Sequence, residues 1–482
     1  MITSPQDHQQ DAPPHTGKAE RRTPPVIRLL VLATFVVILN ETIMINAIPR
    51  LMTALSISEQ TAQWLSTAFM LTMAAVIPIT GWFLQRVSTR AAYATAMGLF
   101  LLGTALAAVA PAFEVLLAAR IIQASGTAVM MPLLMTTLMH VVPESNRGRV
   151  MGSVSLAISV APAMGPTISG LILGFGSWRL LFAVVLPIAA LVTWRGLAQL
   201  QNVGEPRFST IDWFSVVTAA AGFGGLVYGL SRFESGEVGV AAGIVAAGLA
   251  TIAVFVVRQL VLQRRGVPLV DLRTLRHRTY TIALIMMSVA FMAMLGSMVL
   301  LPLYLQNVRS FSPLETGLLV MPGGLAMGLL GPAVGRLFDK FGGRVLVVPG
   351  AIGIMLSLAG FTQITMTMPY WQLLALHALL SISLAATFTP VFTLGLGAVP
   401  PSLYSHGSSI LSTLQQVAAA IGTALVVTVM SARSAALRAS GVTDLLADLG
   451  GMRLAFTIGA VLSVAVVITA VLLPSRAAPV KE

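Results

Sequence analysis

The sequence predicts an all-α protein that crosses a membrane many times. Of its 482 residues, 56% are apolar and only 10% are charged, whereas a soluble domain typically carries about 25% charged residues. Apolar stretches of about 20 residues, the length that a membrane-crossing helix needs, recur along nearly the whole chain. Alternating strands of about ten residues, which are typical of a membrane β-barrel, do not occur. The predicted fold class is therefore a helical polytopic membrane protein.

Fourteen apolar stretches can be drawn, and we number them as spans 1 to 14. They cover residues 27–49, 62–83, 91–111, 115–140, 148–173, 179–198, 212–232, 236–258, 277–305, 313–334, 343–363, 370–398, 406–430 and 452–474. The first 26 residues are polar and Pro-rich. They are expected to form a disordered cytoplasmic tail, because they lack the apolar segment of a signal peptide.

Positive charges follow the alternation of the loops. If the N-terminus lies inside, the inside segments hold 21 of the 29 Lys and Arg residues and the outside loops hold 7, with Arg120 inside a span. This bias predicts a multi-pass membrane protein with both termini in the cytoplasm. Despite the net charge of +12, charges in register with apolar spans argue against a nucleic-acid-binding surface. The absence of cysteine excludes disulfides and zinc–thiolate sites.

Two segments resemble each other and indicate an internal duplication. Pro78-Ile-Thr-Gly81 lies near the end of span 2, and Pro332-Ala-Val-Gly335 lies near the end of span 10; a basic residue follows each of them closely. Such repeats are typical of transporters built from two parallel helix bundles. The predicted division is a tail at 1–26, a six-helix bundle at 27–198, two linker helices with their flanking loops at 199–276, a six-helix bundle at 277–474 and a cytoplasmic tail at 475–482. We expect the linker helices to be a structural spacer, and the Arg-rich loop after them to be a topology anchor beside lipid headgroups.

Charged side chains inside the spans are rare. Glu41 is the only acidic residue well inside a span, and Arg120 is the only clearly intramembrane cation. An intramembrane carboxylate is functional by default, and one poised between burial and a nearby cation can bind and release a proton. We expect Arg120, with Gln123 on the same helical face, to act on Glu41 directly or through water. A structural, hydrogen-bonded Glu41 and an unrelated Arg120 stay as alternatives.

Other residues in the spans allow weaker predictions. Gly165 and Gly170 in span 5 are expected to let another helix approach closely, and Pro162 and Pro166 favour a bend. His377 and His406 are of a type that can titrate near physiological pH, but a structural, hydrogen-bonded role is favoured for each because neither has an evident acidic neighbour. Methionine pairs such as Met286-Met287 suit a cavity for varied apolar ligands, with ordinary packing as the alternative for each.

Several motifs are absent from the chain. No Gly-x-x-x-x-Gly-Lys-Ser/Thr motif occurs, so ATP is not expected to drive this protein directly. No His-Glu-x-x-His or Gly-x-Ser-x-Gly motif occurs, which disfavours a hydrolase. No soluble output domain is evident, which disfavours a sensor.

Several segments resemble the fourteen-helix drug:proton antiporter branch of the major facilitator superfamily. The resemblance covers nearly the whole chain. Leu39–Pro49 resembles the first-helix signature of this branch, and Arg120-x2-Gln123-x2-Gly126 resembles its fourth-helix motif. Its antiporter motif is matched by Gly152-x8-Ala161-x3-Gly165-Pro166-x2-Ser169-Gly170, in which Ala161 and Ser169 replace two glycines.

The loop motif of this family occurs twice. Gly81–Arg90 carries Gln85 and Ser88 where Asp and Gly are common, whereas Gly335–Arg344 keeps both features, with Asp339 as the acid. Together with His406-Gly-Ser-Ser, the pattern is similar to that of lincomycin-resistance-type exporters.

The resemblance implies proton-coupled export of amphipathic or hydrophobic drugs by alternating-access antiport, without enzymatic activity and without a cofactor other than the proton gradient. It implies a protein of the bacterial cell (inner) membrane whose partners are small-molecule drugs, protons and membrane lipids, with spans 1, 4, 9 and 12 lining the site. A monomer is expected, although the residues themselves do not determine the oligomeric state. The predicted residues are Glu41 and Arg120 for proton coupling; Asn40, Glu41, Gln123, Met287, Phe291 and His377 for substrate binding; and Gly81, Arg86, Arg90, Gly165, Pro166, Gly170, Asp339 and Arg344 for conformational change. A dedicated exporter of one endogenous metabolite or lipid stays the alternative.

The charge bias gives a test of topology. Single cysteines introduced at 258–278 should react with a membrane-impermeant maleimide only after the cells are permeabilised, because this Arg-rich loop is expected inside. A cysteine in the predicted outside loop at 431–451 is the matched control and should react in intact cells. Labelling of 258–278 in intact cells would contradict the predicted topology.

Overall fold

The computed structural model describes residues 23–45, 47–203, 210–233, 238–266 and 268–476, and all regular structure in these ranges is helical. Fourteen long helices, numbered as the spans are, have these bounds: α1 Pro25–Ile45, α2 Glu59–Arg86, α3 Thr89–Val109, α4 Phe113–Val141, α5 Arg147–Gly174, α6 Arg179–Gln199, α7 Trp213–Arg232, α8 Val238–Arg264, α9 Arg278–Leu303, α10 Pro313–Phe341, α11 Arg344–Phe361, α12 Tyr370–Gly397, α13 Tyr404–Ala439 and α14 Asp444–Leu472.

The helix lengths confirm the predicted fold class. By length and composition, thirteen helices in the described ranges can cross a membrane. The segment containing α5 is bent by 41° between Glu144–Pro162 and Thr167–Gly174, and it makes the fourteenth when counted as one span. The bend lies where Pro162 and Pro166 favour one. The predicted tails at 1–26 and 475–482 lie largely outside the described residues, and the exact domain boundaries stay a prediction.

The end of α1 differs from the prediction. α1 ends at Ile45, and a short helix, Ile48–Leu55, follows with Pro49 in its first turn. Proline is favoured there because the first-turn N–H groups need no partner within the helix. The Ile48-Pro49 pair therefore begins a second helical segment and does not end the first span.

Local sequence signals set other helix ends. The Ser58 and Ser88 hydroxyls accept hydrogen bonds from the backbone N–H groups of the first turns of α2 and α3. Ser312 and Glu315 form a reciprocal capping box at the start of α10. These caps satisfy N–H groups that have no partner within their own helix, and they fix where the α2, α3 and α10 spans begin.

Buried tyrosines join helices within each bundle. The Tyr93 hydroxyl on α3 donates to the Val192 carbonyl on α6 at 2.9 Å, and the Tyr280 hydroxyl on α9 donates to the Gly407 carbonyl on α13 at 2.7 Å. In a bilayer, apolar helices gain no hydrophobic free energy by leaving the lipid for one another. Helix association therefore rests on close packing and such hydrogen bonds.

The inserted helices α7 and α8 pack on each other, and α7 also packs against α2 and α13. A small apolar cluster joins them to both bundles; it contains Ala219, Phe255, Leu269 and Val270, with Ile79 and Trp82 of α2 and Ile410 of α13 at its edge. On α2, Trp64 packs against Tyr228 of α7 with ring centroids 5.7 Å apart. The inserted helices α7 and α8 therefore cover the line of contact between α2 and α13. The prediction of a structural spacer did not include this position.

Polar contacts join the loop that follows α8 to the helical hairpin that α7 and α8 form. The Gln259 side chain, which is fully buried, donates to the Ser215 hydroxyl and accepts from the backbone N–H groups of Leu269 and Val270. Arg258 donates two hydrogen bonds, at 3.0 and 2.9 Å, to the Asp212 carboxylate that caps α7. The hydrogen bond from Arg258 lowers the pKa of Asp212 to about 2.

We predict that Asp212 stabilises the hairpin in two separable ways. Asp212→Asn should keep the helix cap and lose the ion pair, lowering the free energy of unfolding by less than about 1 kcal/mol because the pair is partly exposed. Asp212→Ala should lose both contributions, about 1–2 kcal/mol. Denaturant unfolding followed by tryptophan fluorescence measures both variants.

The pH dependence follows from the lowered pKa of Asp212. Because folding lowers the carboxyl pKa, the ionised Asp212 stabilises the protein at pH values above its ordinary pKa of 3.8. This stabilisation is lost as the pH falls towards 2. The effect of Asp212→Asn should thus be the same at pH 5 and pH 8. Glu144→Gln, at an exposed carboxylate, is the control; an Asp212→Asn effect equal to that of the control, or one that changes between pH 5 and 8, would contradict the assignment.

Candidate functional site

A buried polar cluster surrounds Arg120 on α4. One guanidinium nitrogen of Arg120 donates to the Gln123 side-chain oxygen at 2.7 Å, and the Gln123 amide donates to the Thr104 hydroxyl on α3 at 2.8 Å. The guanidinium carbon lies 4.1 Å from the ring centroid of Phe69 on α2. Arg120 and Gln123 are 2% and 0% exposed. α4 and α2 therefore supply the direct contacts of this cation, and α3 holds its partner Gln123 through Thr104.

Two glycines allow α3 and α4 to approach closely enough for this cluster. A Cβ atom at Gly103 would lie 2.6 Å from the Gln123 backbone nitrogen, and one at Gly126 would lie 2.3 Å from the Ala96 carbonyl oxygen. Any larger residue would push the helices apart. This packing gives a physical reason for the spacing Arg120-x2-Gln123-x2-Gly126.

The two charged side chains predicted for proton coupling lie within electrostatic range of each other but do not form an ion pair. Glu41 interacts electrostatically with Arg120, yet no hydrogen bond or salt bridge joins them among the described residues. Glu41 is half-buried, whereas its neighbour Asn40 is 2% exposed and its amide nitrogen has no partner there. In this conformation Glu41 can change protonation without breaking a direct bond to Arg120.

Span 5 packs against α1 beside Glu41. A Cβ atom at Gly165 would lie 2.3 Å from the Thr42 hydroxyl oxygen, and the Ser169 hydroxyl donates to the Ile43 carbonyl at 2.9 Å. These contacts agree with the close approach expected at Gly165. The same expectation for Gly170 is wrong: Gly170 is exposed, and a Cβ atom there would meet nothing within 4 Å. Gly170 follows Ser169 by one residue, which rotates it by about 100° around the helix axis. While Ser169 faces α1, Gly170 therefore faces away from it.

The substrate-binding residues predicted in the second bundle lie among its own helices. The His377 Nε2 atom lies 3.2 Å from the Val320 carbonyl oxygen on α10, and its Nδ1 atom has no partner among the described residues. Met287 is 1% exposed, and Phe291 stacks on Phe388 of α12 with centroids 5.0 Å apart. None of the described contacts joins these side chains to Glu41 or Arg120, and their role in substrate binding stays a prediction.

The two bundles meet at one end of the molecule, which we call the closed end. It comprises the C-terminal ends of α2, α4, α10 and α12 and the N-terminal ends of α3, α5, α11 and α13. Asp339 on α10 accepts hydrogen bonds from the backbone N–H groups of Gly148 and Arg149 at the start of α5, both at 2.8 Å. A carboxylate at a helix N-terminus is stabilising. A Cβ atom at Gly335 would lie 2.0 Å from the Gly148 carbonyl oxygen, so only glycine allows this approach.

The first copy of the loop motif makes the matching contact with different chemistry. The Gln85 amide donates to the Ser402 carbonyl at 3.0 Å, and the Ser409 hydroxyl on α13 donates to the Ile77 carbonyl on α2 at 2.7 Å. A Cβ atom at Gly81 would lie 3.0 Å from the His406 Nδ1 atom. Thus Gly81 and Gly335 serve the same packing role, while a neutral amide replaces the carboxylate in the first half.

His406 has an acidic neighbour that the sequence did not reveal. Asp271, in the loop after α8, interacts electrostatically with His406, which is 4% exposed. The expectation that this histidine lacks an acidic neighbour is therefore wrong, because folding of a distant loop brings the two residues near each other.

The basic residues of the loop motifs lie at the surface of the closed end. Arg86, Arg90 and Arg344 are exposed; the Arg86 guanidinium carbon lies 5.5 Å from the Trp82 ring centroid, and the Arg90 backbone N–H donates to the Asn202 side chain. A pocket of about 230 Å³ lies beside Arg86 and Arg90. Its polar lining residues are Gln85, Thr89, Thr136, Thr137, His140, Ser402 and Ser405.

All the hydrogen bonds between the bundles that the described residues form lie at the closed end or in the halves of α5 and α12 next to it. They include the pair Thr136–Ser408 and the pair Ser155–Thr389, each 2.8 Å between hydroxyl oxygens. The structure is therefore one state of a two-bundle protein, joined at one end.

A membrane protein of two helix bundles that are joined at one end, with the buried charge of Arg120 inside the first bundle, has the architecture of a polytopic transporter. The family model of the Major Facilitator Superfamily matches residues 30–423, and the chain belongs to this family. Its members are transporters and not enzymes.

Two relatives and one solved structure show how far the similarity extends. The chain is 37% identical over 465 residues to the lincomycin resistance protein LmrB of Listeria innocua, covering 94% of this chain and 97% of that protein. It is 37% identical over 440 residues to the uncharacterized MFS-type transporter YcnB of Bacillus subtilis, covering 91% and 92%. The human organic anion transporter MFSD10 (TETRAN) has the same fold, with a TM-score of 0.65 at 16% identity over 93% of this chain and 100% of that chain.

We predict that Asp339 holds the closed end together. Asp339→Ala removes two hydrogen bonds to a charged acceptor, each worth about 1.5–3 kcal/mol, so the ratio of open to closed molecules should rise at least about tenfold. Glu144 and Phe341 are replaced by cysteines that carry spin labels. The distances between the labels, measured by double electron–electron resonance, give this ratio.

Asp448→Asn is the control for this variant, because it breaks an ion pair with Arg438 away from the closed end. The control should leave the distance distribution unchanged. An Asp339→Ala distribution equal to that of the unmodified protein would contradict the role given to Asp339.

Proposed function

We propose that this transporter exports amphipathic and hydrophobic drugs in exchange for protons by alternating access. The observation that carries the proposal is the state of Glu41: a half-buried carboxylate inside a span, within electrostatic range of Arg120 but bonded to none of the described residues. Such a carboxylate can release its proton when it contacts the substrate and take a proton up again when the substrate leaves. The lincomycin-resistance relative supports the drug class.

The charge bias of the loops supports an orientation for the cycle. Arg86, Arg90 and Arg344 lie at the closed end, so the positive-inside rule favours a cytoplasmic closed end. In the proposed cycle, the present conformation is the one that faces outward. Opening the closed end requires the separation of α5 from α10 and of α2 from α13.

Protonation of Glu41 sets the direction of transport in this proposal. Facing the cytoplasm, an ionised Glu41 beside Arg120 favours substrate entry; facing the more acidic exterior, Glu41 takes up a proton, and the substrate leaves. The proton is released inward before the next cycle. With one carboxylate, exchange for a monovalent cation is electroneutral, whereas exchange for a neutral drug moves one charge, worth about 2.3 kcal/mol per 100 mV.

We predict that Glu41→Gln abolishes proton-driven transport. Glutamine keeps the size and hydrogen-bonding capacity of the side chain but cannot release a proton, so ethidium accumulation driven by a pH gradient in reconstituted vesicles should fall to the level of empty vesicles. Exchange of ethidium without a gradient should persist if the substrate site is intact.

Glu114→Gln is the matched control, since it removes an exposed carboxylate from the first turn of α4, and it should transport normally. Wild-type pH dependence in Glu41→Gln would place the coupling site elsewhere, with His377 as the next candidate. A panel of cationic, neutral and zwitterionic compounds separates a drug exporter from a dedicated exporter, which would respond to one compound only.

A further inference from the structure

The pocket of about 230 Å³ at the closed end has walls from both bundles. The first bundle contributes α2, α3 and α4, and the second contributes the start of α13 and the turn before it. Sites for drug-sized ligands have volumes of about 300–1,000 Å³, so this pocket fits a smaller molecule. The lining residue Thr137 follows Arg120 by about 25 Å along α4. The pocket is therefore separate from the Glu41–Arg120 cluster.

Two buried hydroxyls, one from each bundle, line this pocket. Thr137 on α4 and Ser405 on α13 are 3% and 4% exposed. Neither hydroxyl forms a hydrogen bond with the described residues. Thr127 on α4 shows the ordinary pairing of a helical threonine, since its hydroxyl donates to the Gln123 carbonyl at 3.0 Å. Buried hydroxyls without partners are unfavourable, and a ligand with several acceptor oxygens would satisfy both.

The N-terminus of α13 lies at the same pocket. Leu403, which precedes α13, supplies no side-chain cap, and Ser402 and Ser405 on either side of it line the pocket. The first-turn N–H groups of a helix have no partner within that helix, and together with the helix dipole they favour a negative charge. The helix end and the two buried hydroxyls therefore offer donors to the same small anion.

The charges around the pocket also favour an anion. None of the described lining residues is acidic. Arg86 and Arg90, each next in sequence to a lining residue, are exposed. His140 lines the pocket with its ring edge-on to Tyr404, at 5.1 Å between centroids. Its Nδ1 atom donates to the Thr136 carbonyl at 2.8 Å, which leaves the Nε2 atom for a ligand. A cleft surrounded by charge of one sign attracts the opposite charge.

We propose that this pocket binds a phosphate monoester and that the bound phosphate holds the closed end together. A tetrahedral phosphate presents oxygens in several directions, which suits donors on opposite walls: the Thr137 hydroxyl on one bundle, and the Ser405 hydroxyl and the α13 N-terminus on the other. Because these walls separate when the closed end opens, the ligand binds the closed conformation and shifts the population towards it. The site goes beyond proton-coupled export, because it contains no part of the coupling cluster.

Two kinds of substitution test the site. Thr137→Val and Ser405→Ala each remove one hydroxyl and nearly keep the shape of the pocket. Thr393→Val on α12 is the matched control, because this buried hydroxyl donates to the Thr389 carbonyl at 2.9 Å and does not line the pocket. Ser402 lines the pocket and is exposed, so Ser402→Glu and Ser402→Lys place opposite charges there without disturbing the core.

The test is calorimetric titration of the purified full-length protein, in phosphatidylcholine nanodiscs and phosphate-free buffer, with glycerol 3-phosphate. Glycerol is the neutral control compound. We expect saturable binding of glycerol 3-phosphate and none of glycerol. Thr137→Val and Ser405→Ala should each raise the Kd about tenfold or more, the value of one hydrogen bond to a charged group, and Thr393→Val should leave it unchanged. Ser402→Glu should abolish binding, whereas Ser402→Lys should keep it.

The conformational effect is measured with the spin labels that replace Glu144 and Phe341. At a concentration of glycerol 3-phosphate about nine times its Kd, the ratio of open to closed molecules should fall about tenfold, because the ligand binds only one of the two states. Repeating the titration in nanodiscs that contain phosphatidic acid identifies the source of the phosphate. Weaker binding of glycerol 3-phosphate there assigns the site to a lipid headgroup, and unchanged binding assigns it to a soluble ester.

Several results would overturn the proposal: no saturable binding of glycerol 3-phosphate, equal binding of glycerol, an unchanged Kd in both hydroxyl variants, or an unchanged distance distribution on binding. If Thr137→Val and Ser405→Ala do not fold, the charge pair at Ser402 decides, and equal binding by Ser402→Glu and Ser402→Lys would contradict the site. Glu41→Gln should bind glycerol 3-phosphate as the unmodified protein does, which keeps this test separate from proton coupling.

Discussion

A guanidinium that stays charged inside a membrane helix constrains the first bundle more than any other group. Arg120 cannot give up its proton in a protein, and an isolated charge in hydrocarbon is costly. Arg120 donates a hydrogen bond to Gln123, which in turn donates to Thr104. The ring face of Phe69 lies against the guanidinium, and Glu41 supplies opposite charge from a distance. The close packing of α3 on α4 at Gly103 and Gly126 lets Thr104 reach Gln123, the hydrogen-bond partner of Arg120.

The contact between the bundles rests on glycine backbones and a few hydrogen bonds. Such an interface suits a moving part, because close packing of small residues and directional bonds can be broken as a unit without exposing a large apolar surface to water. The two halves use the same glycines, Gly81 and Gly335, with an amide on one side and a carboxylate on the other. The inserted hairpin covers only the α2–α13 side, so the two lines of contact are not equivalent.

Much of the fold could be predicted from the sequence, because apolar length and charge bias are local properties. Gly165 was predictable from its place beside prolines and small residues. Gly170 was not, because the helical face that meets α1 depends on the rotation of α5. The electrostatic interaction of Asp271 with His406 and the position of the inserted α7–α8 hairpin depend on tertiary folding of distant segments. The missing ion pair between Glu41 and Arg120 depends on side-chain geometry within one conformation, which spacing along the chain does not determine.

The central claim is that one carboxylate, Glu41, links proton binding to substrate binding. The most direct measurement is proton release when ethidium is added to the purified protein in weakly buffered detergent solution, followed with a pH indicator from pH 5 to pH 9. Reciprocal linkage between the two ligands requires such release. The account predicts a maximum of about one proton per chain for the unmodified protein and none for Glu41→Gln. Equal release from both proteins would contradict it.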